Sequence, residues 1–113
     1  VAAGFGASAS LDFRATFPPL VNDPDETRFI ADTAAELVGD DNVNRQAGLV
    51  MASEDFAAML ERVPGAYIQI GNGAGEGGCE VHNPGYDFND AAIPYGAALF
   101  ARLVERRLAR MGG

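Results

Sequence analysis

The stretch ASASLDFRATF, residues 7–17, constrains the fold of this chain most, because apolar and polar residues alternate along it without a break. This period of two is typical of a half-buried β-strand. The stretch is longer than the usual strand of about five or six residues, and such a strand needs neighbours that pair its backbone and cover its apolar face. No other segment of the sequence reads as its antiparallel partner, so we expect it to complete a sheet that other residues begin.

The signals for a first helix follow two adjacent prolines, which stop the predicted strand. Asp23 is a typical N-cap, Pro24 fits the first helical position, and Gly39 stands where a left-handed C-cap is expected. The sequence therefore predicts a helix over residues 24–38.

Shorter elements follow this helix. AGLVM (residues 47–51) and AYIQI (residues 66–70) are apolar runs typical of strands buried on both faces. Between them, Ser53 is the expected N-cap of a second helix. The inward stripe of that helix is expected to consist of Phe56, Met59, Leu60 and Val63. A last helix is predicted over residues 93–111. Its negative C-terminal end suits three arginines, Arg106, Arg107 and Arg110.

The alternation of helices and buried strands predicts an α/β fold, in which crossover helices cover both faces of a parallel sheet. Two short parallel strands do not make a stable sheet, so residues 21–113 are expected to complete a larger α/β domain. Residues 1–20 are expected to end a second domain with an antiparallel sheet. A chain of 113 residues is long enough for one compact domain or for a piece of a larger one.

The formal net charge of −8 comes from 16 acidic and 8 basic residues. It leaves no basic surface for a nucleic-acid backbone or an anionic membrane, so neither is an expected partner. The single cysteine excludes a disulfide within the chain, and no apolar run is long enough to cross a bilayer, which favours a cytoplasmic protein. The start VAAGFG lacks an initiator methionine, as is expected of a processed chain or an excised fragment.

The glycine-rich loop GNGAGEGG, residues 71–78, contains the spacing G-x-G-x-x-G at Gly73, Gly75 and Gly78. A nucleotide site with this spacing also needs a helix that opens at the loop, so that its N-terminal amides face the phosphates. A proline and a glycine follow instead and oppose a helix. The sequence therefore favours a flexible loop over a nucleotide site.

His82, the only histidine, stands three residues after Cys79. A thiolate and an imidazole at this spacing could bind one metal ion, but a structural zinc site needs four ligands and no further Cys or His exists in the chain. The residues leave two readings open. His82 is either one ligand of a site whose other donors lie elsewhere, or an ordinary hydrogen-bonded histidine in a turn.

Ser53, Glu54 and Asp55 also admit two interpretations. Acidic residues in the first turn stabilise a helix N-terminus without any catalysis. These three residues also follow a predicted buried strand, and ligands of open α/β sheets bind at the carboxyl edge of the strands. The loop with His82 follows the next predicted strand, so both motifs meet at one edge if the strands are parallel. This convergence favours a functional site.

Three segments together resemble a known family: FPPLVND, MASEDFAAMLERVPGAYIQIGNG and VHNPGYDFNDAAIPYGAALFARLV. They are similar to the C-terminal part of the M20 metallopeptidase family, in the amidohydrolase branch that includes hippurate hydrolases, N-acyl-amino-acid amidohydrolases and indole-acetyl-amino-acid hydrolases. The resemblance implies a three-layer α/β/α catalytic domain of the phosphorylase/hydrolase-like, zinc-peptidase type. Residues 21–113 would be its C-terminal segment. Residues 1–20 would hold the last strand, at about 7–17, of an α/β lid or dimerisation domain.

The resemblance also implies a dinuclear centre of divalent metal ions, which are zinc, manganese, nickel or cobalt. His82 falls on the histidine of the family's H-[NS]-P motif, a metal ligand, and Asp87 or Asp90 would hold its other ring nitrogen. The general base and the remaining ligands would lie upstream, so no catalytic residue is assigned in this chain. The chain alone is therefore expected to be inactive and to bind no metal stably.

Residues around the substrate pocket follow from the same resemblance. Ser53, Glu54 and Asp55 match an S-E-D-F segment beside the pocket. Asn22 matches the asparagine of a hinge motif, and Asn83 stands where many relatives have serine. These five residues are expected to bind the substrate or to support the residues that do.

The function implied by the resemblance is hydrolysis of the amide bond of N-acyl or N-aroyl amino acids, hippurate-like substrates, by a metal-activated water. A homodimer or higher assembly is expected. An alternative is a non-catalytic interaction or dimerisation module that uses the exposed strand 7–17. A third reading is a small-ligand binding protein that uses the glycine-rich loop.

Overall fold

The computed structural model describes residues 1–75 and 78–112, with the backbone alone for Met111. These residues include the α-helices α1 (Pro24–Val38), α2 (Phe56–Leu60) and α3 (Ile93–Met111). Short 3-10 helices lie at Ala2–Phe5, Asp40–Asn42 and Asp90–Ala92. α1 packs against α3, while loops and turns connect the other elements.

The bounds of α1 are those that the sequence predicts. Oδ1 of Asp23 accepts the backbone N–H groups of Asp25 at 2.9 Å and Glu26 at 3.0 Å, and so satisfies two amides that the first helical turn leaves unpaired. At the other end, Gly39 has a φ of 84° and donates its N–H to the carbonyl of Ala35 at 2.8 Å. A positive φ is strained for residues with a side chain, which explains the glycine at this position.

The last helix is also confirmed, from Ile93 to Met111. The turn before it is stabilised by Asn89, whose Oδ1 accepts the backbone N–H of Ala91 at 3.0 Å. The sequence signals for this helix are a start after a polar loop and a long amphipathic run. Both signals are local, so the prediction of this helix did not depend on distant residues.

The core between α1 and α3 is small and surrounds Phe29, which is 8% exposed. Leu99 of α3 is 6% exposed, and Thr33 is fully buried. The Thr33 hydroxyl donates to the carbonyl of Phe29 at 2.7 Å and accepts a hydrogen bond from Arg106 at 2.9 Å. Both hydrogen-bonding capacities of this buried hydroxyl are therefore satisfied, as burial requires.

The three arginines expected near the end of α3 have a further role, because their guanidinium groups surround the ring of Phe29. The central carbon of the guanidinium lies 5.4 Å from the ring centroid for Arg106, 4.5 Å for Arg107 and 4.6 Å for Arg110. Arg106 also pairs with Glu36 at 2.9 Å, and Arg107 pairs with Glu26. Cations over an aromatic face are attracted by its quadrupole, so these contacts stabilise the helix pair.

The prediction for α2 is wrong in two respects. The helix has five residues and begins at Phe56, so Ser53 is not its N-cap; Asp55 precedes it without a side-chain capping bond. Val63 lies beyond the helix end and is 66% exposed, and Met59 is 62% exposed. Ala57 is the buried residue of this helix instead. A five-residue helix has too few turns to maintain an apolar stripe, so periodicity alone overestimated its length.

None of the described residues forms a β-strand, including the predicted strands at 7–17, 47–51 and 66–70. Leu11 is 87% exposed and Met51 is fully exposed. A strand requires a hydrogen-bonded neighbour, and no such neighbour lies along these segments. The α/β fold, with its boundary between residues 20 and 21, therefore stays a prediction.

The chain is open rather than close-packed. Its radius of gyration is 19.8 Å, whereas about 13 Å is typical of a compact domain of this length. Its accessible surface is 9443 Å², whereas about 5900 Å² is typical of a folded monomer of this mass. Three apolar side chains of α3 consequently remain more than half exposed: Phe100, Val104 and Leu108. No helix within residues 1–75 and 78–112 has the length and apolar character to cross a membrane.

Candidate functional site

Asn22 joins the start of α1 to the segment that follows α2. Its side-chain Nδ2 donates to the backbone carbonyl of Tyr67 at 2.9 Å, and its Oδ1 accepts the backbone N–H of Tyr67 at 2.8 Å. The backbone N–H of Asp23 also donates to the carbonyl of Gly65 at 2.9 Å. The Asn22 amide thus pairs both backbone polar groups of one residue, as a neighbouring strand would. This pairing fixes the backbone of Tyr67 beside the N-terminus of α1.

Glu54 lies just before α2, and its Oε1 accepts the backbone N–H of Phe56 at 3.2 Å. The rings of Phe56 and Tyr67 pack with their centroids 5.7 Å apart and their planes tilted by 45°. We call Asn22, Glu54, Phe56 and Tyr67 the Tyr67 cluster.

Hydrogen bonds lower the pKa of the Glu54 carboxyl below its ordinary value. The Phe56 backbone N–H contributes most, followed by the side chains of Asp55 and Tyr67. The Asp55 side chain can donate only while it is protonated. The neighbouring Glu54 carboxylate in turn raises the pKa of the Tyr67 phenol. Glu54 is therefore an anion at neutral pH, and the Phe56 N–H orients its Oε1.

Two of the residues predicted beside Glu54 are not part of this hydrogen-bonded cluster at neutral pH. Ser53 is exposed and does not cap α2, and Asp55 is exposed and directly precedes that helix. The role of both residues in substrate binding stays a prediction.

A second asparagine joins the glycine-rich loop to the approach to α3. Nδ2 of Asn72 donates to the carbonyl of Asp87 at 2.7 Å, and its Oδ1 accepts the backbone N–H of Asn89 at 2.7 Å. In return, Nδ2 of Asn89 donates to the carbonyl of Asn72 at 3.2 Å. The bond to Asp87 involves its backbone carbonyl only. Asp87 is an exposed residue, and so is Asp90 at the start of the next 3-10 helix.

The two asparagine contacts lie on one segment of the chain. Tyr67 and Asn72 are five residues apart, so their Cα atoms are separated by at most about 18 Å. Residues 65–72 are therefore held at one end against α1 and at the other against the approach to α3. The predicted strand 66–70 lies between these two contacts, and Ile70 packs against Gly96 of α3, where an added Cβ would meet its Cδ1 at 3.2 Å.

His82 lies in a turn with its side chain exposed and a φ of 70°. This left-handed conformation is uncommon for residues other than glycine. The next turn is built by Asn83, whose Oδ1 accepts the N–H of Gly85 at 2.9 Å and whose carbonyl accepts the N–H of Tyr86 at 2.9 Å. His82 therefore lies in a turn, while its role as a metal ligand and that of Asn83 near the substrate stay predictions.

The described residues do not form a metal site by themselves. Within residues 1–75 and 78–112, no three His, Cys, Asp or Glu side chains lie close enough together to hold a metal ion. His82 supplies one donor, and resident divalent ions are bound by several. A metal centre that includes His82 therefore requires ligands from beyond the described residues. That Asp87 or Asp90 supports the His82 ring likewise stays a prediction.

The glycine-rich loop makes a close backbone approach at Gly78. A Cβ added there would lie 2.5 Å from the carbonyl oxygen of Gly73 and 2.9 Å from that of Gly75, so a side chain does not fit. No helix opens in the described stretch 78–89, which argues against a phosphate-binding loop. The prediction of a flexible loop extends over Glu76 and Gly77, which lie outside the described residues.

Sequence reasoning missed Tyr67, which it treated only as an apolar member of the run AYIQI. The side chain that pairs with its backbone, Asn22, stands 45 positions earlier and could not be inferred from spacing.

The comparisons with known proteins agree on one family. The profile of peptidase family M20/M25/M40 matches residues 3–106. The protein named IAA-amino acid hydrolase ILR1-like 4 from Arabidopsis thaliana is 32% identical over 107 residues, which cover 89% of this chain and 24% of that protein. Hippurate hydrolase from Campylobacter jejuni is 32% identical over 91 residues, 80% of this chain and 23% of that protein.

A protein with a different kind of name also matches. The putative glutamate–cysteine ligase 2-3 from Rhodococcus jostii is 33% identical over 102 residues, which are 89% of this chain but 13% of that protein. The chain spans about a quarter or less of the length of the curated relatives it matches. No solved structure is significantly similar to it.

Proposed function

The chain belongs to peptidase family M20/M25/M40, and from this premise we propose that it is the C-terminal part of an amidohydrolase that cleaves the amide bond of N-acyl or N-aroyl amino acids. The observation that carries the proposal is the family match over residues 3–106. The names of two relatives support the substrate class. One is named a hydrolase of an amino-acid conjugate and the other a hydrolase of hippurate. The match to a putative ligase covers a smaller share of that protein and does not change the family.

We further propose that the whole protein is metal-dependent and that His82 is one ligand of a divalent metal centre. The support is the exposed imidazole, presented from a turn whose backbone is fixed by the neighbouring Asn83. The remaining ligands would come from polypeptide outside these residues, because the described part of the chain groups no further donors around His82. The isolated chain is accordingly proposed to be inactive.

The proposal places the Tyr67 cluster beside the substrate. Glu54 presents an oriented carboxylate there, and Asn22 lies at the junction before α1. Ser53 and Asp55 adjoin Glu54 in the sequence and would border the same pocket. A carboxylate is an acceptor only, so the cluster suits a hydrogen-bond donor such as an amide N–H rather than the carboxylate of a substrate.

The test uses the full-length protein that contains this chain. We expect hydrolysis of benzoylglycine, and a loss of at least about 100-fold in kcat/KM for His82→Ala together with a lower content of bound metal. Glu80→Gln, an exposed change two residues away, is the matched control and should leave both quantities unchanged. Full turnover and full metal content in His82→Ala would refute the role of His82.

A second candidate function rests on a separate observation. Leu11 and Phe13 are 87% and 80% exposed, within the alternating stretch 7–17. Large apolar side chains in an unpaired segment with strand periodicity favour association with a second copy or a partner. Sedimentation of the wild type and of the double variant Leu11→Ser/Phe13→Ser tests this: dissociation of a dimer supports an assembly strand, and an unchanged mass argues against it.

A further inference from the structure

The side chain of Asn72 holds one end of residues 78–89, which we call the His82 loop. Its Nδ2 donates to the carbonyl of Asp87 at 2.7 Å, and its Oδ1 accepts the backbone N–H of Asn89 at 2.7 Å. The Asn89 side chain in turn donates to the carbonyl of Asn72 at 3.2 Å. We call these three bonds the asparagine clasp. Because they run in both directions between residues 15 and 17 positions apart, they fix this end of the loop just before α3.

Two linked turns connect the clasp to His82. The backbone N–H of Tyr86 donates to the carbonyl of Asn83 at 2.9 Å, and the N–H of Asn83 donates to the carbonyl of Glu80 at 3.2 Å. The first turn therefore spans residues 80–83 and contains His82, and the second spans residues 83–86 and ends just before Asp87. Hydrogen bonds thus bridge the backbone from His82 to the clasp, so the place of His82 relative to α3 depends on the clasp.

The backbone of His82 needs this kind of support. Its φ of 70° lies in the left-handed region, which residues other than glycine adopt at a cost. Such conformations persist where the surrounding structure determines them, and they are common at functional sites. The residue is exposed, so packing of the imidazole does not hold it. The turns and the clasp that ends them are what maintain this conformation.

We propose that Asn72 is a positioning residue of the proposed metal centre: through the asparagine clasp it holds the His82 loop, and with it the imidazole, in place before a metal ion binds. The inference rests on the proposed function, because only that function makes His82 a ligand. Asn72 acts through the backbone of Asp87 and Asn89. A ligand that is already held in place loses less conformational entropy on binding, so the clasp raises the affinity for the metal.

The test uses the full-length protein and the variant Asn72→Ala, which removes both bonds made by the Asn72 side chain. Asn72→Asp keeps the acceptor for the Asn89 N–H and loses the donor to Asp87. The matched control is Asn42→Ala, which removes a bond of the same kind, from Nδ2 to the carbonyl of Val38 at 2.8 Å, at the end of α1. Each metal-free protein is titrated with Mn²⁺ and with Zn²⁺, and its amide hydrogen exchange is measured over residues 78–111.

Loss of the clasp should weaken metal binding without removing a ligand. We expect the half-saturating metal concentration to rise roughly 3- to 10-fold in Asn72→Ala, less in Asn72→Asp, and not at all in Asn42→Ala. The Asn89 amide should exchange faster in Asn72→Ala because it has lost its acceptor, while the amides of α3 keep their protection. Saturating metal should restore kcat/KM with benzoylglycine in Asn72→Ala, whereas it cannot do so in His82→Ala.

These measurements separate a positioning role from a merely structural one. A structural role lowers the free energy of unfolding in Asn72→Ala and leaves the half-saturating metal concentration unchanged, which refutes the inference. An equal weakening in Asn42→Ala refutes it as well, because the effect would then not come from the His82 loop. If Asn72→Ala does not fold, Asn72→Asp decides by the same measurements.

The remaining outcomes distinguish this inference from the proposed function. A wild-type protein that binds neither ion, or that does not hydrolyse benzoylglycine, refutes the proposed function and this inference with it. An active, metal-binding wild type whose affinity does not change in Asn72→Ala refutes the positioning role alone. A loss of kcat/KM that saturating metal does not restore also contradicts it. Weaker binding that saturating metal overcomes, together with faster exchange at Asn89, supports it.

Discussion

The helix pair α1–α3 and the loop of residues 78–89 are held by different kinds of contact. The helices meet through side chains far apart in sequence, such as Arg106 and Thr33, which are separated by 73 positions and bond at 2.9 Å. The loop is held mainly by short-range turns and by hydrogen bonds between the Asn72 side chain and the backbone of Asp87 and Asn89. The pair buries Phe29 and Leu99, whereas the loop leaves His82 exposed.

This difference separates stability from the proposed chemistry. Burial of apolar surface and cation–π contacts stabilise the helix pair. The loop depends on a few partly exposed hydrogen bonds, each of which contributes little net energy. Loops on a rigid support are also where binding residues generally lie, and the proposed metal ligand is in such a loop.

Phe29→Ala tests the helix pair and should have the largest effect. Removing this buried ring, with three guanidinium groups around it, is expected to destabilise the protein by about 3 kcal/mol in urea denaturation. Phe100→Ala, at a ring 67% exposed on α3, is the matched control and should cost under about 1 kcal/mol. An equal loss at Phe100 would break the comparison, since Phe100 would then be covered in the full-length protein.

Asp23→Ala removes the cap that sets the start of α1. Two backbone amides lose their acceptor, so a loss of about 1 kcal/mol is expected by urea denaturation. Asp41→Ala, at an exposed carboxylate beyond the end of α1, serves as the control and should change the stability by less than about 0.5 kcal/mol. If both variants lose the same amount, net charge rather than capping is responsible.

Asn22→Ala removes the pairing between α1 and the backbone of Tyr67. Both hydrogen bonds are partly exposed, so together they should contribute about 1 kcal/mol or slightly less to the free energy of unfolding. Asn22→Asp keeps an acceptor for the Tyr67 N–H but loses the donor, and should therefore have an intermediate effect. An aspartate variant as destabilised as the alanine variant would contradict this account of the pairing.

His82→Gly should have the smallest effect on stability and sharpens the comparison most directly. Glycine adopts the φ of 70° without strain, so the free energy of unfolding should change by no more than about 0.5 kcal/mol in either direction. Hydrolysis, in contrast, should be lost with the imidazole. His82→Asn, whose side chain tolerates the left-handed region, should give the same stability. A large destabilisation in both variants would show that the imidazole supports the fold.

The structure also shows which predictions from the sequence were reliable. Both ends of α1 and both ends of α3 were predicted correctly, because Asp23, Pro24 and Gly39 act within one helical turn of the residues they affect. The start of α2 was not, since Glu54 rather than Ser53 accepts the Phe56 N–H. The role of Tyr67 depends on Asn22, 45 positions away, and no local pattern reveals that distance.

By itself the sequence determined the two long helices and the family, because caps, periodicity and motifs are properties of neighbouring residues. The tertiary structure decided which side chains meet: the arginines with Phe29, the Asn22 amide with the Tyr67 backbone, and the Tyr67 ring with that of Phe56. The physical reason is the distance along the sequence between the residues that make each contact. A cap or a turn closes over three or four residues, whereas these contacts form only when the folded chain brings distant segments within hydrogen-bonding or van der Waals distance.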